Sequence, residues 1–151
     1  MLPFPIALKA GESPYRQVVF AATKAVLSGM LPAGSPFPSV RELSQSLKIN
    51  PNTAHKVVAE LVRDGLLQVM PGLGTVVAAP RTASRSERAA LLADPVEQLV
   101  VEARRVGLAR QDVLDAIETR WTQLFGDDAD PSRTTGDDRH ADATHGDAND
   151  E

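Results

Sequence analysis

Two helix-start signals stand close together in the middle of this chain, and they constrain its fold more than any other feature. In SVREL, Ser39 and Glu42 have the spacing of a capping box, in which each side chain reaches the other's backbone N–H. In INPNTAHKV, Asn50 can cap a helix whose first position is Pro51, where a missing N–H costs nothing. The first helix, with Leu43 and Leu47 as its apolar stripe, is therefore only about two to three turns long and ends near Lys48. The second carries Ala54, Val57, Val58, Leu61 and Val62 on one face, and Gly65 closes it. Asn52, Thr53, His55 and Lys56 are left off that face, gathered in its first two turns. A short helix, a tight turn and a helix with an exposed polar start make a helix-turn-helix.

The flanks complete a domain. SPYRQVVFAATKAVLSGML places Ser13 as a cap and Pro14 at the first helical position, with Tyr15, Val18, Val19, Ala22 and Val26 at helical spacing and Gly29 as a stop. PAGSPFP is a loop too rich in proline for helix. After Gly65 the period shortens. LLQVM and TVVAA are β-rich runs about PGLG, a hairpin that makes the helix-turn-helix winged. APRTASRSE is a small-residue linker. Beyond it Val96, Leu99, Val100, Ala103 and Val106 repeat at helical spacing up to Gly107, with a kink or break at Asp94-Pro95. Val113, Leu114, Ile117, Trp121 and Leu124 mark a last helix. This pair forms an αα-hairpin with one exposed apolar side, Trp121 serving in helix packing or in a dimer core. Alone it buries too little to be stable, so it packs on the first domain or on a second copy. The expected fold is mostly α: a winged helix-turn-helix domain (1–79), a linker and two-helix dimerisation segment (80–125) and a disordered tail (126–151).

The net charge of −4 conceals a division. Residues 1–80 carry seven Lys/Arg against four Asp/Glu, residues 81–125 seven against seven, and residues 126–151 two against nine. The tail, GDDADPSRTTGDDRHADATHGDANDE, has no large apolar residue and cannot offset its ordering entropy. Its negative charge is expected to compete with DNA for the basic face. An acidic pI is thus no argument against a nucleic-acid partner. The absence of cysteine excludes disulfides, thiolate zinc sites and a cysteine nucleophile, and fits a reducing cytoplasm. The N-terminal segment has no secretory pattern, and no run reaches the roughly 18 apolar residues of a membrane span.

Enzyme templates find nothing. The body has a single histidine and no clustered carboxylates, so no nucleophile with a base and orienter is visible. PGLG is a hairpin turn and lacks the lysine and hydroxyl of a phosphate loop. His140 and His145 lie among tail aspartates that have no rigid second shell for a fixed metal. No cofactor or metal is expected.

FPSVRELSQSLKINPNTAHKVVAELVRDGLLQVMPGLGTVVA resembles the DNA-binding domain of GntR-type bacterial transcription regulators, through its Pro-Ser-x-Arg-x-Leu, Asp-Gly-Leu and Gly-x-Gly-Thr patterns. The Asn-Pro-Asn-Thr stretch and short helical C-terminal part resemble the YtrA-like branch, which lacks large ligand-binding domains and dimerises through that segment. The resemblance implies that Arg41 reaches DNA from the second helix and that Ser39 contacts phosphate. It places Asn52, Thr53 and His55 at bases and backbone, and Gly72 in the wing near the minor groove. Two departures stand out. Pro51 replaces a frequent base-reading arginine, and Met70-Pro71-Gly72-Leu73 replaces a commonly basic wing tip, so the wing adds little electrostatic affinity.

Lys56 joins this set on physical grounds, because lysine favours guanine as asparagine favours adenine. A helix N-terminus also offers unpaired N–H groups and a positive dipole end to phosphate. At the N-terminus of its helix the dipole prefers an acid, so the cation Arg41 there points to function. The expectation is a cytoplasmic homodimeric regulator of double-stranded DNA, a repressor on a palindromic operator, with transporter genes as targets implied by the resemblance. The alternative is a winged-helix protein-interaction module without specific DNA binding, which the poorly basic wing would suit. Any small-molecule effector is unspecified; one helix pair is too small to enclose it within a single chain.

Overall fold

The computed structural model describes residues 1–126. The tail, read above as disordered from residue 126 onward, lies outside the described residues except for Gly126. The elements are α1 (Pro14–Leu27), α2 (Val40–Leu47), α3 (Pro51–Arg63), β1 (Leu67–Met70), β2 (Gly74–Val77), α4 (Arg85–Leu92), α5 (Asp94–Arg105) and α6 (Arg110–Phe125). The fold is mostly helical with one antiparallel hairpin, as the patterning implies.

Local chemistry sets each boundary. Ser13 Oγ accepts the Arg16 N–H at 3.4 Å, and Pro14 opens α1. At α2 the capping box is complete: the Ser39 N–H donates to Glu42 Oε2 at 2.7 Å and the Glu42 N–H donates to Ser39 Oγ at 3.2 Å. The turn that follows is reversed by Lys48, whose φ of 53° is rare for a residue with a Cβ. The Ser44 hydroxyl closes it by donating to the Ile49 carbonyl at 2.9 Å. Asn50 caps α3, its Oδ1 accepting the Asn52 N–H at 2.8 Å.

The core sits around α3, which packs on α1 and α2. Val18, Ala22, Leu43, Ala54, Val57, Leu61, Leu67 and Val77 are buried in one cluster. The strands pair from Leu67 with Val77 to Met70 with Gly74, leaving Pro71, Gly72 and Leu73 as the turn.

Three features escape the periodicity. Ala25 is buried on α1, whereas Val26 is only partly buried against the same core. Residues 1–8 are not a loose leader: Phe4 is buried and stacks on Phe37 at 5.9 Å between centroids, with Leu2, Ile6 and Leu8 packed beside it. The Gln17 side chain ties this arm down, accepting the Lys9 N–H at 2.7 Å and donating to the Lys9 carbonyl at 3.1 Å. Finally, the proline-rich loop runs beside β2 like a third strand. Pro36 bridges Val76, the Phe37 N–H donates to the Thr75 carbonyl at 2.9 Å, and the Val77 N–H donates to the Ser35 carbonyl at 2.9 Å. Prolines are tolerated at such an edge because they need no ladder donor.

The C-terminal helices differ in kind. The break before Asp94-Pro95 is present, Ala93 having ψ of −106°. The expected pair α5 and α6 follows, but its members leave an open groove of about 630 Å³ between them, lined by Leu99, Ala103, Val106, Leu108, Val113 and Ile117 among others. Within residues 80–126 only Ala103 is buried. No helix among the described residues is long and apolar enough to cross a membrane.

Candidate nucleic-acid interface

The seven residues singled out by the sequence fall on three elements. Ser39 is the N-cap of α2 and Arg41 lies in its first turn; Asn52, Thr53, His55 and Lys56 occupy the first two turns of α3; Gly72 is in the turn between the strands. Helices α2 and α3 pack directly, which holds the first six on two neighbouring helix starts. Gly72 stands apart on the hairpin, joined to this frame only through the strands and the loop beside β2.

Capping decides which groups are free. Glu42 is drawn back to the N-cap, and the Ser39 backbone N–H, followed by the Ser39 hydroxyl, holds its carboxyl below the usual value. It therefore does not pair with Arg41, whose exposed guanidinium forms no hydrogen bond or ion pair with any described residue. The contrast lies at the far end of α3, where Arg63 is engaged by Glu60 at 3.3 Å and Asp64 at 3.7 Å. The first turn of α3 contains no acidic residue, and Asn52, His55 and Lys56 are exposed there while Thr53 is half-buried.

The expectation of several open N–H groups at the start of α3 narrows. Pro51 has none and the Asn52 N–H is taken by Asn50, so Thr53 supplies the open donor of the first three positions. At α2 the capping box uses the N–H groups of Ser39 and Glu42 and leaves those of Val40 and Arg41 open. The better backbone anion site is thus at α2, where it coincides with the Arg41 side chain. Ser39 Oγ is engaged as an acceptor, which leaves its hydroxyl proton free to donate to phosphate.

The wing carries no cation from Gln68 to Ala79, and Val69 and Leu73 are 66% and 73% exposed. Gly72 has φ of +81° with open space where a Cβ would stand, so conformation and not crowding requires glycine. Lys48, named in the sequence only as the end of α2, is an exposed cation in the turn between the two helices. Among the described residues no cluster of His, Asp and Glu could hold a metal.

Comparison with known proteins agrees with this fold. The family described as "Bacterial regulatory proteins, gntR family" matches residues 14–77. The chain is 30% identical over 95 residues to the HTH-type transcriptional repressor YtrA of Bacillus subtilis (strain 168), covering 62% of this chain and 73% of that one. A transcriptional regulator from Oenococcus oeni, of known structure, is 31% identical with a TM-score of 0.51, over 76% of this chain and 95% of that one. A transcriptional antiterminator from Listeria monocytogenes EGD-e superposes with a TM-score of 0.71 over 82% of this chain and 92% of that one; at 23% identity it shows the fold alone.

Proposed function

The chain belongs to the gntR family of bacterial regulatory proteins, and from that premise we propose that it is a homodimeric repressor that reads a palindromic operator with α3. It is a DNA-binding regulator of the winged-helix type. The observation that carries the finer reading is the pair of capped helix starts, which together present Arg41, Asn52, Thr53, His55 and Lys56, with Glu42 drawn back to the Ser39 cap and no described carboxylate paired to Arg41 or Lys56. Ser39 and Arg41 hold phosphate, Asn52 and Lys56 face base edges, Thr53 and His55 flank them, and Gly72 lets the wing approach the minor groove. Residues 1–79 serve as the DNA-reading domain and residues 80–125 as the dimerisation segment. The protein works in the cytoplasm, where its operator is, and the B. subtilis relative's repressor role supports repression here.

Dimerisation is supported by the stripe Val96, Leu99, Val100, Leu114, Ile117 and Trp121, which the described residues leave 41% to 55% exposed. Two copies packing these helices into a bundle would set two recognition helices on successive major-groove faces.

The test is a titration of the full chain onto its own upstream DNA at low and moderate salt, beside Arg41→Ala. Contact with six or more phosphates weakens binding about 10³-fold between roughly 50 and 200 mM salt. Selective, salt-sensitive binding that Arg41→Ala weakens supports the assignment. Binding indifferent to both sequence and salt overturns it in favour of a protein partner, and selective binding untouched by Arg41→Ala removes Arg41 from the interface.

A further inference from the structure

Arg81 lies in the segment between the wing and α4, outside every motif discussed so far. That segment is otherwise unsupported. The last backbone bond of the winged-helix part runs from the Ala78 N–H to the Leu66 carbonyl, and residues 79–83 form no backbone hydrogen bond with any described residue. Arg81 spans the gap with its side chain. Its Nε donates to the Asp64 carbonyl at the C-terminal end of α3, at 3.4 Å. Its guanidinium then forks onto Glu87, with Nη2 to Oε1 at 2.8 Å and Nη1 to Oε2 at 3.4 Å.

Both ends of this tie are prepared. On the α3 side the guanidinium stem crosses Gly65, where an added Cβ would stand 3.0 Å from Arg81 Cδ and Nε. Gly65 has φ of +77°, so it serves the helix stop and the close approach together. The carbonyl it exposes is the negative end of the helix dipole, a site that suits a cation. On the α4 side Glu87 is already fixed, because Oε2 accepts the Ser84 N–H at 2.7 Å in the capping box that starts the helix. The Arg81 hydrogen bond is the foremost cause, ahead of Ser84, that lowers the Glu87 carboxyl to about 2. Planar fork and carboxylate match bidentately, which adds orientation as well as attraction.

We infer that Arg81 is a positioning residue: it clips the C-terminal end of the recognition helix to the start of the helical segment and so fixes the angle at which the reading head is held. Exposed ion pairs add little to stability, so its effect is on orientation. Resting on the dimeric-regulator reading above, the consequence is that Arg81 sets which spacing of operator half-sites two heads can occupy together.

The angle can be measured without DNA. The chain has no cysteine, so spin labels at Ala59→Cys on α3 and Gln98→Cys on α5 report one distance when labelled chain is diluted into unlabelled chain. A narrow distribution that Arg81→Ala broadens, while Arg105→Ala within α5 leaves it narrow, is the expected result. An equally narrow distribution in Arg81→Ala, or a wild-type distribution as broad as the variant's, overturns the clip. Operators selected from random DNA by the full chain, with half-site separation then varied, give the second readout. Arg81→Ala should lose about two- to fivefold at the optimum spacing, the range an exposed ion pair can supply, and flatten the profile, with single half-site affinity unchanged. An unaltered profile overturns the role in spacing. A wild-type chain that selects no paired half-sites defeats the dimeric-operator reading instead, and the label distances still decide the clip.

Discussion

The winged-helix part and the C-terminal helices are comparably rich in aliphatic residues at helical spacing, yet they use them in opposite ways. In the first, α1, α2, α3, the hairpin and the N-terminal arm approach from several sides, and Leu43 and Leu61 are fully enclosed. In the second, α5 and α6 leave a groove, and Leu99, Ile117 and Trp121 remain nearly half exposed. An apolar face says only that something covers it. Whether the cover comes from the same chain depends on how many elements lie within reach, and between Pro80 and Gly126 the described residues supply too few.

The sharpest way to break this comparison is charge in the open half. Leu99→Asp with Ile117→Asp should turn a dimer into a monomer by light scattering and lower affinity for a two-site operator by about 10²–10⁴-fold, by removing the linkage between heads. The winged-helix part should melt unchanged by circular dichroism. A double variant that stays dimeric would mean that the groove faces something else.

Next come truncations in the closed half. Leu43→Ala or Leu61→Ala should cost about 2–5 kcal/mol in urea unfolding, because a full side chain is lost from a packed site. Leu114→Ala, 46% exposed and studied on the monomeric background, should cost far less. Equal losses would mean that the two halves are not differently packed.

Removing the cap of the recognition helix, Asn50→Ala, should cost about 1 kcal/mol and leave Asn52 with an unpaired N–H. The effect should appear in the winged-helix transition alone.

The pH dependence separates the halves again. The folded-state value of Glu87 lies at about 2, below its ordinary 4.5, so its contribution is complete above 4.5 and fades as pH falls toward 2. Glu87→Gln should flatten the pH dependence of unfolding in that window. Glu42 is lowered in the same direction by the Ser39 N–H, and Glu42→Gln should do likewise in the winged-helix part. The smallest expected effect is at the turn: Lys48→Gly relieves a left-handed residue but loosens the unfolded chain, a net gain within about 1 kcal/mol.

Much of this was legible because it is local. Ser39 with Glu42, Asn50 with Pro51, and Gly29, Gly65 and Gly107 each act on neighbours within a turn, so spacing alone fixes the helix boundaries and the break at Asp94. The same locality placed Arg41, Asn52, His55 and Lys56 at exposed helix starts. Phe4 against Phe37 was not legible, since a contact between an N-terminal arm and a proline-rich loop leaves no periodic trace. Nor was the strand-like run of Pro36, whose residue type argues against a strand until its edge position is known. Which N–H groups remain open at α2 and α3 depended on side-chain rotamers that spacing does not set.

By itself, then, the sequence determined the order of elements, their ends and the polar face of α3, because capping, proline and glycine act through covalent neighbours. Only the tertiary structure decided that the arm closes the core, that α5 and α6 stay open, and that Arg81 crosses Gly65 to reach Glu87. Those outcomes rest on contacts between residues distant in sequence, or on the empty volume beside a glycine, and both exist only once the chain has folded.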